Sequence, residues 1–149
     1  MPIVPVPSTI AEFRDALGLA LELSEEFAFA QAVVTTDHLH RCTDFAVFTE
    51  IGDGLAPALS WLSGRVEHHP QPHRVLLISI RSIDGVIIAE QDLAEFRFAQ
   101  QTVDRMGAHL VDWIETDGEL VRSYAYLANP HTAWSTQARA EGALDVTDW

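Results

Sequence analysis

The segment Arg74-Val-Leu-Leu-Ile-Ser-Ile80 constrains the fold more than any other part of this chain. It is a nearly continuous apolar run with no polar alternation. Such a run predicts a strand covered on both faces, at the centre of a sheet. A sheet covered on both sides needs helices, and the flanking segments supply them. Leu93, Phe96, Ala99, Val103 and Met106 fall on one helical face of a predicted helix from Asp92 to Met106, with Gly107 as its stop.

The remaining elements follow from local chemistry. Thr9-Ile-Ala-Glu12 has the pattern of a capping box, and Ile10, Phe13, Leu17, Leu21 and Ser24 give helical spacing, so a helix is expected from Ile10 to Glu26. Ala30–Thr36 reads as a strand and Phe45–Thr49 as its returning partner, with Asp37–Arg41 the turn between them. Gly52-Asp-Gly54 opens a helix carrying Leu55, Leu59 and Leu62 as far as Gly64, with Asp53 as a cap. Glu67–His73 reads as a loop because of its prolines. Ala108–Glu115 and Glu119–Leu127 form the last pair of strands around the Asp-Gly of residues 117–118. The expected order is α-β-β-α-β-α-β-β, a mixed β-sheet flanked by helices of the α/β (α+β) class.

The chain of 149 residues, 48 % hydrophobic, suits a single domain over residues 9–127. Residues 1–8 are expected to form an extended proline-rich leader, and residues 128–149 a tail that is docked or partly flexible. Lys plus Arg is 9 and Asp plus Glu is 22, a net charge of −13. That balance argues against binding nucleic acid or an anionic membrane. A single cysteine, Cys42, excludes an internal disulfide framework and any multi-cysteine zinc site. With no secretory signal pattern and no apolar run of bilayer length, the expected location is cytoplasmic.

The order from Arg74 to Leu127 is a buried strand (RVLLISI), a loop, a helix (DLAEFRFAQQTVDRMG) and a hairpin (AHLVDWIETDGELVRSYAYL). It resembles the JAB/MPN metallo-isopeptidase fold in its bacterial RadC-like form, and a group of actinobacterial proteins that share this half without the metal motif. Asp112-Trp-Ile-Glu-Thr-Asp-Gly118 is the closest local likeness. In that family two histidines, a serine and an aspartate (His-x-His, seven residues, Ser-x-x-Asp) build a zinc site whose bound water is the reactive group. In the alignment the resemblance implies, those positions fall on Ser79, Arg81, Ala89 and Asp92. Only Asp92 is retained. Arg81 puts a fixed positive charge where the cation would sit. The resemblance therefore implies a domain with no catalytic residue and no cofactor, in which Arg81 pairs with Asp92.

Other chemistry-bearing residues are weaker. His38 and His40 would share a face on a strand and suit a metal, but Asp37 and Arg41 favour a turn. His68, His69 and His73 form a second imidazole cluster on a proline-stiffened loop. Either group is the alternative site, that of a metal-dependent hydrolase. Trp61 lies off the main stripe of its helix, and Trp134 and Trp149 belong to the tail. These three are the candidate interface residues, for a partner protein or for self-association. Trp113 is expected in the core. The expected role is a protein-binding or assembly module.

Overall fold

The strand at Arg74–Ile80 is covered on both faces from Val75 onward and lies in the middle of a five-stranded mixed sheet. The computed structural model describes residues 6–49, 55–68, 74–83, 90–129 and 134. Among these the order is α1 (Phe13–Glu26), β1 (Ala30–Thr36), β2 (Cys42–Phe48), α2 (Ala56–His68), β3 (Arg74–Ile80), α3 (Glu90–Arg105), β4 (His109–Thr116), β5 (Val121–Ser123) and α4 (Tyr124–Ala128). The sheet runs β2-β1-β3-β4-β5. β3 and β4 are parallel with α3 between them, and the other neighbours are antiparallel. This is the α+β arrangement expected from the sequence.

Alternation along the strands divides the core into two layers. Ala32, Val34, Leu76, Ile78 and Ile114 face α1, where they meet Phe13, Ala16, Leu19, Ala20 and Leu23. Val33, Val75, Leu77, Leu110 and Trp113 face α2 and α3, where they meet Leu55, Leu59, Leu62, Phe96, Ala99 and Val103. Gly107 ends the α3 region at φ +82°, a conformation that glycine adopts without strain.

Several expectations from sequence are corrected. The first helix starts at Phe13, not Ile10, and its cap is not at Thr9. The Asp15 carboxylate accepts the Ala11 and Glu12 N–H groups, each at 3.1 Å, while Thr9 bridges to Arg41 beside β2. The helix is also rotated from the expected face: Leu17 is half-buried and Leu21 exposed, because Ala16 and Ala20 let the backbone approach the sheet. The second strand begins at Cys42 rather than Phe45. The second helix runs past Gly64 to His68, so Glu67 and His68 belong to a helix and not to a loop. The last strand is only Val121–Ser123. At Ser123 the hydroxyl accepts the Tyr126 N–H at 3.2 Å and starts α4, so the chain leaves the sheet four residues before Leu127. The cap at Asp53, the first five residues of the leader and most of the tail lie outside the described residues.

The buried and exposed leucines of α1 give a direct test of its orientation. Leu23→Ala, at a fully buried position, is expected to cost about 2–5 kcal/mol in urea unfolding. Leu21→Ala should stay within about 0.5 kcal/mol of the wild type. Equal costs at the two positions would contradict the observed face.

Candidate functional site

β4 carries two acidic residues inside the core, Asp112 and Glu115, which are 0 % and 1 % exposed. They lie three residues apart on a strand and so point to opposite faces of the sheet. Neither was singled out from sequence, although a carboxylate on each face of a strand as apolar as Leu110–Ile114 was the available signal.

Glu115 sits on the α3 side, at the end where β3 and β4 both finish. The Arg81 guanidinium, just beyond β3, donates to its Oε2 through Nε and Nη2. Arg122 Nη1, opposite Glu115 on β5, donates to Oε1 at 3.2 Å. The Tyr124 hydroxyl donates to the same oxygen at 3.3 Å. Arg81 also reaches Asp92, in the first turn of α3, with 3.7 Å between Nη2 and Oδ1. Two carboxylates thus face two guanidiniums, and the cluster has no net formal charge. Burial works against the Arg81 cation, but the Glu115 and Asp92 carboxylates outweigh it and raise the Arg81 pKa. Burial, reinforced by the Glu115 carboxylate, pushes the Tyr124 phenol well above its ordinary range and keeps it a donor.

Aromatic rings form the floor of this cluster. Trp113 and Tyr124 stack at 4.2 Å with an interplanar angle of 17°. The Arg81 guanidinium lies 5.8 Å from the centre of the Trp113 ring. The Trp113 indole N–H donates to Ser79 Oγ at 2.9 Å, so Ser79 is an acceptor in a dry core.

Asp112, on the α1 side, is held by dipoles instead of charges. Its Oδ1 accepts the Trp113 and Ala125 N–H groups at 2.7 and 2.9 Å. Its Oδ2 accepts the Ser123 hydroxyl at 2.6 Å and the Trp134 indole N–H at 2.8 Å. Burial pushes the Asp112 carboxyl up to about 6, against the pull of these four donors. Trp134, which also meets the edge of Phe13 at 6.0 Å, is therefore fixed to the body of its own chain.

Three of the four positions singled out by the likeness converge here: Ser79, Arg81 and Asp92. Ala89 lies outside the described residues. The donor set does not fit a zinc ion, because Ser79 is engaged by Trp113, Arg81 is a fixed cation, and Glu115 is held by two guanidiniums. Among the described residues no group of three His, Cys, Asp or Glu side chains is placed to hold a metal.

The other candidates do not join this site. His38 and His40 lie in the Asp37–Arg41 turn, at the opposite end of the sheet, with His40 at φ +64°. The His40 ring contacts Arg74 Nη1 at 3.0–3.2 Å, a cation where a metal would have to bind. His68 ends α2, while His69, His73 and Trp149 lie outside the described residues. Trp61 is half-buried against the edge of Phe48 at 6.4 Å, with the Arg65 guanidinium 5.1 Å from its ring. Cys42 is half-buried, and burial together with the Asp15 and Asp37 carboxylates raises its thiol pKa, which favours the thiol over the thiolate. No described helix is long and apolar enough to cross a membrane.

Comparison of the chain with models of known protein families, with curated proteins and with solved structures found no match.

Two measurements test the two carboxylates. Glu115→Gln leaves two guanidiniums facing a neutral amide and should cost about 3–5 kcal/mol. Glu22→Gln, at an exposed position of α1, should change stability by less than about 0.5 kcal/mol. For Asp112 the folded pKa of about 6 lies above the ordinary 3.8. The native state then holds more protons between those values, so this group's contribution is present below pH 4 and lost as pH rises through 6. Its size is at most about 3 kcal/mol. Chemical unfolding from pH 3.5 to 7.5 should show this limb as the difference between wild type and Asp112→Asn. Parallel curves for the two proteins would rule it out.

Proposed function

We propose that this chain is a non-catalytic JAB-like domain that acts as a protein-binding or assembly module in the cytoplasm. The observation that carries the reading is the Arg81 guanidinium. It stands at a position where the likeness calls for a metal-binding histidine, and it is bonded to Glu115 and directed at Asp92. A fixed cation among those carboxylates places positive charge where the likeness would place a zinc ion. A domain with that arrangement has no Lewis acid to polarise a carbonyl and no metal-bound water to attack it.

The surface favours a protein partner or a second copy of the chain over nucleic acid. The net charge of −13 repels phosphates. Between α2 and α3, Leu55, Leu59, Phe98 and Met106 line an apolar groove of about 400 Å³, and Phe98 is 59 % exposed. Exposed aromatic area beside an apolar groove is the usual anatomy of a protein contact.

Metal analysis of untagged, dialysed protein is the decisive experiment. The expected result is far less than one zinc per chain and no hydrolysis of isopeptide or peptide substrates. About one tightly held metal per chain, lost on substitution of His38 and His40 or of His68, His69 and His73, would replace this reading with a metal-dependent hydrolase. Sedimentation over a range of concentrations reports on assembly. If the groove mediates self-association, Phe98→Glu should shift the mass toward that of a single chain.

A further inference from the structure

At the end of the sheet opposite Glu115, a cavity of about 280 Å³ opens among His40, Arg74, His109, Ile10, Val111 and Trp134. Three observations set it apart. The first is charge. The chain's 9 Lys-or-Arg residues are all arginines, and Arg14, Arg41, Arg65, Arg81 and Arg122 each bond a carboxylate. Arg74 does not. Among the described residues Arg97 and Arg105 bond none either, but both are exposed, whereas Arg74 is half-buried and its Nη1 meets the His38 carbonyl at 3.4 Å and the His40 ring at 3.0–3.2 Å. His109 stands opposite Arg74 in the β3–β4 register and is exposed.

The second observation is backbone conformation. Among the described residues, the non-glycine residues at positive φ are His40 at 64° and Trp134 at 53°. Both line this cavity. Left-handed backbone is unfavourable for a residue with a side chain, and it persists where the surroundings impose it, often at binding sites. The third is the strand itself. The β3–β4 register shifts between Val75 and Leu76, whose partners are Leu110 and Asp112, so Val111 is an extra residue in β4. A bulge re-aims a side chain, and Val111 lines the cavity wall.

Asp104 lines an adjoining pocket that shares His109, and the other carboxylates at this end are engaged. Asp37 bonds Arg41 at 2.8 Å, Asp15 holds the Ala11 and Glu12 N–H groups, and Asp112 lies beneath the Trp134 indole.

We propose that this cavity binds a small carboxylic acid with an apolar body, its carboxylate on Arg74 and His109 and its body against Ile10, Val111 and the Trp134 ring. A guanidinium presents a planar fork that matches a carboxylate. The volume lies near the lower limit of about 300 Å³ for ligand pockets, which restricts the ligand to a small molecule. The site is independent of the Arg81 cluster and of the reading drawn from it.

Isothermal titration of the full chain with benzoate, acetate and inorganic phosphate tests the proposal. The expected result is saturable benzoate binding with a Kd of about 1 mM or tighter, weakened by added salt. Arg74→Gln should weaken it about tenfold or more, the loss expected for one charged hydrogen bond. Benzoate should also change tryptophan fluorescence, and Trp134→Phe should remove that change. Should Arg74→Gln fail to fold by thermal melting, His109→Gln at its exposed position is the second variant, with weakened binding again expected. Absence of saturable binding, or equal binding in both variants, overturns the proposal. Acetate or phosphate binding as tightly as benzoate overturns the assigned ligand class.

Discussion

A carboxylate removed from water costs several kcal/mol unless donors or cations replace its hydration. This chain meets that cost twice on one strand. Asp112 and Glu115 occupy opposite faces of β4, and much of the C-terminal half is arranged to satisfy them. Ser123 and Ala125 must reach Asp112, so the chain turns out of the sheet after a three-residue β5. Arg122 must reach Glu115, so β5 is held in the register that places the two opposite each other. The short last strand and the helix after it bring Arg122, Ser123, Tyr124 and Ala125 to these two charges.

The two faces solve the problem differently, and the difference has physical consequences. Asp112 meets neutral dipoles, so its charge is stabilised but not cancelled, and burial pushes its carboxyl up to about 6 against the pull of those donors. Glu115 is cancelled outright by two guanidiniums. A buried ion cluster is not in itself a source of net stability, since an apolar replacement of the same shape can do as well. What it supplies here is position. Arg81 bonds Glu115, reaches Asp92 and lies over Trp113, which ties the end of β3 to β4 and to the first turn of α3. A lysine, with one compact ammonium, has neither the fork nor the planar face for all three contacts.

What was legible in the sequence depended on how much of each signal was local. β1 and β3 were read to the residue, because both are of strand length and rich in β-branched or apolar residues, β3 as a continuous apolar run and β1 ending at a polar break. The stripe of α3 was read because Phe96, Ala99 and Val103 carry it alone. The face of α1 was misread because leucines lie on two of its sides, and the choice between them is made by Ala16 and Ala20, whose contribution is smallness rather than hydrophobic area. The end of β5 was missed for a different reason. The sequence from Glu119 to Leu127 has ordinary strand composition, and the interruption comes from Asp112, several residues away. Arg81 and Asp92 were identified as a pair in advance. Their dominant partner, Glu115, was not, since a glutamate is normally read as surface until the fold encloses it.

The two ends of the parallel pair β3–β4 then differ in a way that composition does not predict. With 22 acidic residues against 9 basic ones, a carboxylate is available to any arginine on average. At one end that expectation holds, and Arg81 and Arg122 are fully engaged. At the other, Arg74 faces a carbonyl and an imidazole, while the adjacent Asp37 is taken by Arg41 and the adjacent Asp15 by backbone N–H groups. The turn that takes up Asp37 also holds His40 at positive φ, so the backbone geometry and the electrostatics of that end have a common origin. That Arg74, among the described residues of so acidic a chain, meets a carbonyl and an imidazole is a property of how the turn and the helix start are folded. The bulge at Val111 and the Trp134 ring give the same place an apolar wall.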